Sequence, residues 1–264
     1  MSSNTFSCLA VIPARLTSTR LPNKPLKDIG GKTLIERVYL QAQKAKTLKK
    51  VVVATDSPEI FNHMKTVGAS VLMTSDSHLT GSDRVAEAAA LLEKAGEYFD
   101  LIANVQGDMP FINPEIIDRT VRLLATSAAS VGMSTVATPL LTEEEYLRPS
   151  SVKVVLGVGE RVLYFSRAPI PYIREPKDLV ISESSPYGYK HMGLYVFRPE
   201  VLQTLHKLEQ SLPEQREKLE QLRALCNGVE MRVAIVTEEF VRNQVEVDTL
   251  EDLEKARAIA ARGT

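Results

Sequence analysis

A loop of cationic, hydroxyl and proline side chains follows a short apolar run, residues 8–12, near the start of the chain. The loop, residues 13–25, contains Arg15, Ser18 and Lys24. Arginine can grip a phosphate through its planar fork, lysine adds a point charge, and hydroxyls and backbone N–H groups complete such a cradle. Prolines stiffen the loop and reduce the entropy lost on closing over a ligand. The loop predicts a triphosphate-binding site, and a solvated surface loop is the alternative.

A glycine followed by a carboxylate ends another apolar run, at Gly107 and Asp108. Glycine lets a ligand approach the backbone closely, and a carboxylate at the end of a strand can hold Mg²⁺ against phosphate oxygens. Asp248, after the alternating stretch 245–247, is the candidate for a second metal ligand. Alternatively, Asp108 is a turn residue, and Asp248 or Thr249 caps the last helix.

Two familiar phosphate-binding motifs are missing from the chain. Neither Gly-x₄-Gly-Lys-Ser/Thr nor Gly-x-Gly-x-x-Gly occurs, so the sequence predicts neither a P-loop nor a dinucleotide fingerprint. The run Gly30-Gly31-Lys32-Thr33 follows no clear strand. We interpret it as the turn before a helix.

The elements that must position these residues alternate in the first half of the chain. Apolar runs at 8–12, 51–55, 70–73 and 101–105 alternate with amphipathic segments at 34–46, 58–67, 82–94 and 114–125. This order predicts a parallel, doubly wound sheet, in which ligands bind beyond the carboxyl ends of the strands. Ser82 is the predicted N-cap of the third helix.

The second half of the chain is less regular. Its pattern predicts a hairpin of 152–158 and 162–166, a strand 191–197, a helix 215–226, a strand 231–236 and a last helix 249–261. Residues 169–187 are rich in proline, serine and charge, which favours a mobile loop. We therefore predict one α/β domain, residues 1–264, with a β-rich excursion at about 150–200.

Composition excludes several classes of protein. Of the 264 residues, 44% are apolar and 25% charged, as in ordinary globular proteins. The net charge of −1 provides no overall field for nucleic acid or anionic lipid, so an anionic ligand needs a local cluster of Arg and Lys. Cys8 and Cys226 lack metal-type spacing, which predicts reduced, buried thiols. The first apolar run is too short to cross a membrane. We predict a cytoplasmic protein with neither nucleic-acid nor membrane partners.

These motifs resemble those of the 3-deoxy-manno-octulosonate cytidylyltransferases. The opening loop and the run Val105-Gln106-Gly107-Asp108 are similar to motifs of that family. Further similar segments follow in order over nearly the whole chain: 53–56, 152–155, 164–171, 191–195, 219–225 and 247–249. The opening motif alone is shared more loosely with other acid-sugar cytidylyltransferases.

The resemblance implies a fold, a reaction and partners. The fold is a three-layer α/β architecture with a mostly parallel mixed sheet of the nucleotide-diphospho-sugar transferase type. The excursion would serve sugar binding and dimerisation in a homodimer. The Mg²⁺-dependent reaction joins CTP to the acidic sugar 3-deoxy-D-manno-octulosonate, releasing pyrophosphate, for lipopolysaccharide biosynthesis. Close rivals are the same chemistry on an 8-amino or sialic-type acid, and a nucleotide-binding module without turnover.

The resemblance also implies roles for particular residues. Arg15, Ser18, Lys24 and Gln106 would bind CTP, and Asp108 and Asp248 would hold Mg²⁺. The implied catalytic set is Arg15, Lys24, Asp108 and Asp248, and the implied sugar-acid pocket is Arg84, Arg167, His191, Tyr195, Glu220 and Gln221. Taken singly, the arginines resemble surface ion-pair residues, His191 a structural histidine and Glu220 a solvated helix charge.

The chain departs from the family pattern at three places. Met109 stands where the family commonly has Glu, which removes one carboxylate near the expected metal. Glu246 stands where a Gly usually precedes Val-Asp-Thr, and Ser82-Asp83 replaces Thr-Glu. An enzyme is favoured over a module that only binds nucleotide, because Arg15, Lys24, Asp108 and Asp248 are all intact.

Overall fold

The computed structural model describes residues 6–18, 20–78, 80–175 and 180–262. Its strands are β1 Cys8–Ala14, β2 Leu48–Thr55, β3 Val71–Met73, β4 Leu101–Asn104, β5 Val131–Leu140, β6 Lys153–Leu156, β7 Val162–Ser166, β8 Gly188–Phe197 and β9 Glu230–Ile235. Its helices are α1 Leu34–Ala42, α2 Pro58–Thr66, α3 Gly81–Lys94, α4 Pro114–Thr126, α5 Glu143–Leu147, α6 Pro199–Leu205, α7 Leu212–Glu217, α8 Gln221–Cys226, α9 Glu238–Val241 and α10 Leu250–Ala261. The chain divides into two compact units, one of residues up to 118 and from 242 onward, the other of residues 119–241.

The first unit contains a parallel sheet with the strand order β3-β2-β1-β4. Val11 on β1 pairs with Val52 on β2 and with Asn104 on β4. The apolar run of β1 lies in the interior of this sheet and is almost wholly buried, which suits a strand with neighbours on both edges. The predicted alternation of parallel strands and helices is confirmed for this unit.

Side-chain caps set the starts of the helices in the first unit. Thr33 caps α1 and Ser57 caps α2. The prediction that Ser82 caps α3 is wrong, because Thr80 accepts from the Asp83 N–H and Asp83 bonds back to the Thr80 N–H. This capping box moves the helix start to Gly81. The turn predicted at Gly30 is confirmed, since its φ of 61° lies in the left-handed region that glycine adopts without strain.

The second unit is richer in antiparallel pairing. Strand β5 pairs antiparallel with β8 and parallel with β9, while β6 and β7 form a hairpin and β6 also pairs with β8. The predicted hairpin is therefore confirmed. Sequence reasoning missed β5, whose residues are all buried. Its Gly, Ser, Thr and Pro residues interrupt the apolar run by which the other strands were found.

The single helix predicted at 215–226 is wrong. Lys218 adopts the left-handed conformation, with φ 54°, and ends α7 by donating its N–H to Glu214 O at 2.8 Å. Helix α8 then starts at Gln221. Glu214 and Arg223 form a buried, bidentate ion pair at 2.6 and 2.9 Å, which holds the corner between the two helices. Tertiary packing thus overrides a continuous helical pattern.

Two sequence predictions concern exposure. Cys8 is buried as predicted, but Cys226 is exposed because it ends α8. In the part of the chain described, no helix has the length and apolar character needed to cross a membrane.

Candidate active site

The cationic loop begins where β1 ends and is anchored by a small apolar core. Leu21 from the loop and Val247 from the segment before α10 are both buried in this core. Its other buried members are Ile29, Leu34, Phe111, Leu253 and Ala256. Packing of these side chains brings the loop and the start of α10 together, although they are more than two hundred residues apart in sequence.

Lys24 projects from a tight turn toward two carboxylates. Asn23 adopts the left-handed conformation and the 3₁₀ turn Lys24–Leu26 follows it. The Lys24 Nζ lies 3.2 Å from Asp108 Oδ2 and 2.9 Å from Asp248 Oδ1. Burial by itself lowers the pKa of Lys24, but the two carboxylates outweigh it, and the pKa is raised above its ordinary value. The ammonium is therefore charged at neutral pH.

Backbone contacts place the two carboxylates side by side. The Val247 N–H donates to Asp108 O at 2.9 Å, so the residue after Val247 lies next to the loop after β4. A Cβ on Gly107 would lie 2.8 Å from Pro13 O, which only glycine avoids. The stretch 245–247 is not a strand. Thr249, not Asp248, caps α10, so the Asp248 side chain is available for the site.

Arg20 is a further member of this cluster that sequence reasoning left without a role. Its Nη2 lies 2.9 Å from Asp248 Oδ2, and its side chain is 65% exposed. Two cations and two carboxylates thus meet at one point. Only tertiary structure reveals this contact, because Arg20 and Asp248 come from distant parts of the chain.

The remaining predicted CTP residues lie nearby in the chain but outside the ion cluster. Arg15 is exposed and forms no hydrogen bond with any residue the structure describes. Ser18 Oγ accepts from the Leu21 N–H at 3.3 Å, which shapes the loop. Gln106 is half-buried between β4 and Asp108. Thr19 of the same loop lies outside the described residues.

The donor set at Asp108 and Asp248 fits a hard divalent cation shared with a ligand. Both carboxylates contact one cationic group, and carboxylate oxygens are the ligands that Mg²⁺ prefers. Among the residues described there is no cluster of three His, Cys, Asp or Glu side chains suited to a metal. Two protein carboxylates suit a Mg²⁺ ion that takes its other oxygens from phosphate and water. Met109 is buried in the core, 3% exposed.

Arg84 lies in the first unit and is already paired. Its Nη2 lies 2.7 Å from Asp56 Oδ2, and its Nη1 donates to Thr74 Oγ1 at 2.5 Å. The residue is 3% exposed. Arg84 thus ties α3 to the ends of β2 and β3, and sequence reasoning missed its partner Asp56. Its assignment to the sugar carboxylate stays a prediction.

Arg167 lies in the second unit, directly after β7, and backbone carbonyls hold its side chain. Its Nε donates to Glu217 O at 2.8 Å and its Nη1 to Pro149 O at 3.2 Å. The Glu217 carboxylate accepts from the Arg167 N–H at 2.9 Å and from Ser166 Oγ at 2.5 Å. Glu217 is another residue without a predicted role.

His191 is buried on β8 and held in one tautomer. Thr135 Oγ1 donates to Leu194 O at 2.6 Å and lies 2.9 Å from His191 Nε2. Because the Thr135 hydroxyl donates its proton to the Leu194 carbonyl, it can only accept from His191. Nε2 of His191 therefore carries a proton, and Nδ1 is an acceptor. Burial lowers the pKa of His191 to about 3, so the ring is neutral at physiological pH.

The other predicted sugar residues also lie in the second unit. The Tyr195 ring lies 5.3 Å from the His191 ring, between centroids. Glu220 occupies the N-cap position of α8, and Gln221 begins that helix. Gln221 is 5% exposed, and its Nε2 has no hydrogen-bond partner within the described ranges. Such an orphaned buried donor is a group that a bound ligand could satisfy.

Comparison with known proteins identifies the family to which this chain belongs. A family model described as Cytidylyltransferase matches residues 9–239. A 3-deoxy-manno-octulosonate cytidylyltransferase of Polynucleobacter necessarius is 46% identical over 96% of each chain. An 8-amino-3,8-dideoxy-manno-octulosonate cytidylyltransferase of Shewanella pealeana is 40% identical over 92% of this chain and 94% of its own.

A solved structure agrees with these relatives. CMP:2-keto-3-deoxy-manno-octonic acid synthetase, complexed with CTP, is 36% identical, with a TM-score of 0.86 over 98% of this chain and 100% of its own. This similarity confirms the predicted α/β class with a mostly parallel mixed sheet. The chain belongs to the cytidylyltransferase family and, within it, to the group of the 3-deoxy-manno-octulosonate cytidylyltransferases.

Proposed function

We propose that this protein transfers the cytidylyl group of CTP to 3-deoxy-D-manno-octulosonate, giving the CMP-sugar and pyrophosphate for lipopolysaccharide biosynthesis. Relatives 46% and 45% identical carry that activity in their names. The observation that carries the proposal is the meeting of Lys24, Asp108 and Asp248 beyond the carboxyl end of β1. Ligands bind at this edge of open α/β sheets.

The residues of the first unit would bind and neutralise the triphosphate. Arg15, exposed and unpaired among the described residues, is available to a phosphate. Lys24 has carboxylate partners that it would exchange for phosphate oxygens when CTP binds. Such positioning and charge neutralisation supply most of the catalysis expected for transfer at phosphorus. In the reaction the sugar's anomeric hydroxyl attacks the α-phosphorus, and pyrophosphate leaves.

We assign Mg²⁺ to Asp108 and Asp248, which both offer oxygen ligands. When bound, the ion would supply positive charge against the phosphate oxygens. Lys24, which pairs with both carboxylates, would be the neighbouring cation available to the nucleotide. Full activity of the enzyme in EDTA would contradict this assignment.

The residues of the second unit would recognise the acidic sugar. Arg167 supplies a fixed guanidinium for the sugar carboxylate. His191 Nδ1, Tyr195, Glu220 and Gln221 supply donors and acceptors for hydroxyls. The resemblance also implies a role in sugar binding for Arg84, whose guanidinium is held by Asp56. An unchanged KM for the sugar in an Arg84 variant would contradict that role.

The deciding experiment measures pyrophosphate release from CTP and Mg²⁺ with a panel of sugar acids. The panel contains 3-deoxy-D-manno-octulosonate, its 8-amino analogue and a sialic acid. We expect the highest kcat/KM for the first. The 8-amino sugar is the second candidate, because a relative that is 40% identical is named for it. No release with any of the three would contradict the proposed reaction.

We also propose that the protein is a cytoplasmic homodimer, as the resemblance implies. Sedimentation equilibrium of the purified protein tests the dimer, and a monomeric mass at micromolar concentration would contradict it.

A further inference from the structure

Lys153, the first residue of β6, is a buried cation with no role in the proposed reaction so far. It is 0% exposed and is one of the largest side chains that are fully buried in the part of the chain described. Lysine is almost never fully buried unless its charge is compensated. Such a residue in an otherwise apolar strand therefore needs an explanation.

The Lys153 ammonium bonds to backbone rather than to a carboxylate. Its Nζ donates to Arg148 O at 2.9 Å and to Arg167 O at 2.7 Å. Within the described residues no carboxylate lies within ion-pair distance of it. Burial, and then the positive charge of Arg167, lower the pKa of Lys153 below its ordinary value. The lysine thus contacts the same residue that we assign to the sugar carboxylate.

The Arg167 peptide and side chain are held from several directions. Lys153 binds its carbonyl, Glu217 binds its N–H, and its own Nε and Nη1 bind the carbonyls of Glu217 and Pro149. Its Nη2 has no hydrogen bond to any residue the structure describes. Arg167 as a whole is half-buried. Its guanidinium is therefore fixed at one edge and open at another, as a carboxylate-binding fork requires.

The charges of this group do not cancel. Lys153 and Arg167 contribute two positive charges, and Glu217, which contacts Arg167, contributes one negative charge. Two cations held close together in partly buried surroundings favour an anion. A sugar carboxylate on Arg167 would restore neutrality.

We propose that Lys153 is a positioning residue for acidic-sugar binding: it fixes the Arg167 peptide by binding its carbonyl, and its buried positive charge favours the carboxylate that Arg167 binds. This inference rests on the proposed function. It assigns Lys153 to sugar affinity and not to CTP affinity. A purely structural lysine would instead affect stability alone.

The test compares Lys153→Met with Lys190→Met in steady-state kinetics. Lys190 pairs with Lys153 across β6 and β8 but is a third exposed and bonds to Glu145 at 2.6 Å, so it is the matched control. We expect Lys153→Met to raise the KM for the sugar by about tenfold to a hundredfold, the effect of losing hydrogen bonds from a charged group. The KM for CTP and both constants of Lys190→Met should change by less than about twofold.

A double-mutant cycle with Arg167→Met separates positioning from structure. If Lys153 acts through Arg167, Lys153→Met should cost little more once Arg167 is gone. An equal loss in both backgrounds, or an unchanged KM for the sugar in the single variant, would overturn the inference. If Lys153→Met does not fold, Lys153→Gln replaces it, because glutamine keeps an N–H donor and removes the charge. The KM for the sugar and the KM for CTP are then measured for that variant. A wild-type protein inactive on all sugar acids would overturn the proposed function itself, and this inference with it.

Discussion

The two compact units differ in the partners that their charged side chains contact. In the first, Lys24, Arg20, Asp108 and Asp248 pair with one another at a partly exposed point. In the second, Lys153 and Arg167 bond mainly to backbone carbonyls, and His191 to a buried hydroxyl. Side-chain ion pairs can exchange partners when a triphosphate and a metal arrive. Hydrogen bonds to backbone carbonyls do not exchange in this way, and they would hold the proposed carboxylate-binding guanidinium of Arg167 rigid.

We expect the largest effect from substitutions of the two carboxylates in the ion cluster of the first unit. Asp108→Asn and Asp248→Asn should each lower kcat by about a thousandfold or more, because the proposed metal loses a charged ligand. Both residues would act on the same metal ion, so the loss of kcat in the double variant should be far smaller than the product of the two single losses. Pyrophosphate release measures this. A multiplicative double loss would mean that the two residues act separately.

The exchange of partners is tested by comparing Lys24→Met with Arg15→Ala. Both should lower kcat/KM for CTP by about a hundredfold, because each removes a phosphate contact. Only Lys24→Met should also tighten Mn²⁺ binding without nucleotide, by about tenfold, because the ammonium leaves both carboxylates. Calorimetry with Mn²⁺ checks it. Lys32→Met, on an exposed ion pair with Glu36, is the control. Equal Mn²⁺ affinity in all four proteins would contradict exchange.

The sugar recognition that we propose for the second unit is tested at His191. His191→Gln can keep an N–H for Thr135 but lacks the Nδ1 acceptor, whereas His191→Asn keeps a polar atom near Nδ1 and loses the Thr135 bond. We expect the first to raise the sugar KM by about tenfold with CTP binding unchanged. The second should mainly lower stability.

Glu220→Gln offers the same test at α8, and it should also raise the KM for the sugar only. Calorimetry on both ligands provides the measurement. Variants at His191 and Glu220 that weaken CTP binding and leave sugar recognition normal would refute the division of roles between the units.

The last expected effect is a pH dependence of stability from His191, which involves neither substrate. Its pKa is about 3 in the folded protein because of burial, against about 6.5 for an exposed histidine. The unfolded chain therefore binds the proton more readily between these values, and stability is lost as pH falls from about 6.5 toward 3. At pH 5 the loss should be about 2 kcal/mol relative to pH 7. Urea unfolding at both values, with His191→Gln as control, measures it. An identical loss of stability in His191→Gln would mean that another group causes the pH dependence.

The sequence by itself determined the parallel sheet of the first unit and the family, and it predicted a phosphate-binding role for the opening loop. Regular alternation of apolar runs and amphipathic helices identified the sheet, and local spacing identified the loop. The same reasoning missed β5, because polar side chains on a strand buried on both sides conceal it. It also joined α7 and α8, because nothing local in 215–226 signals the left-handed Lys218.

Tertiary structure alone decided which charges meet. Arg20 reaches Asp248 because Leu21 and Val247 share a small core, and Lys153 reaches Arg167 because β6 and β7 form a hairpin. No local pattern marks Asp56 as the partner of Arg84, or Glu217 as the support of Arg167. Periodicity reports which face of an element is buried, whereas a contact between distant side chains depends on packing that brings two backbones within a few ångströms. The residue types of this site can thus be predicted from sequence, but their pairing requires the folded chain.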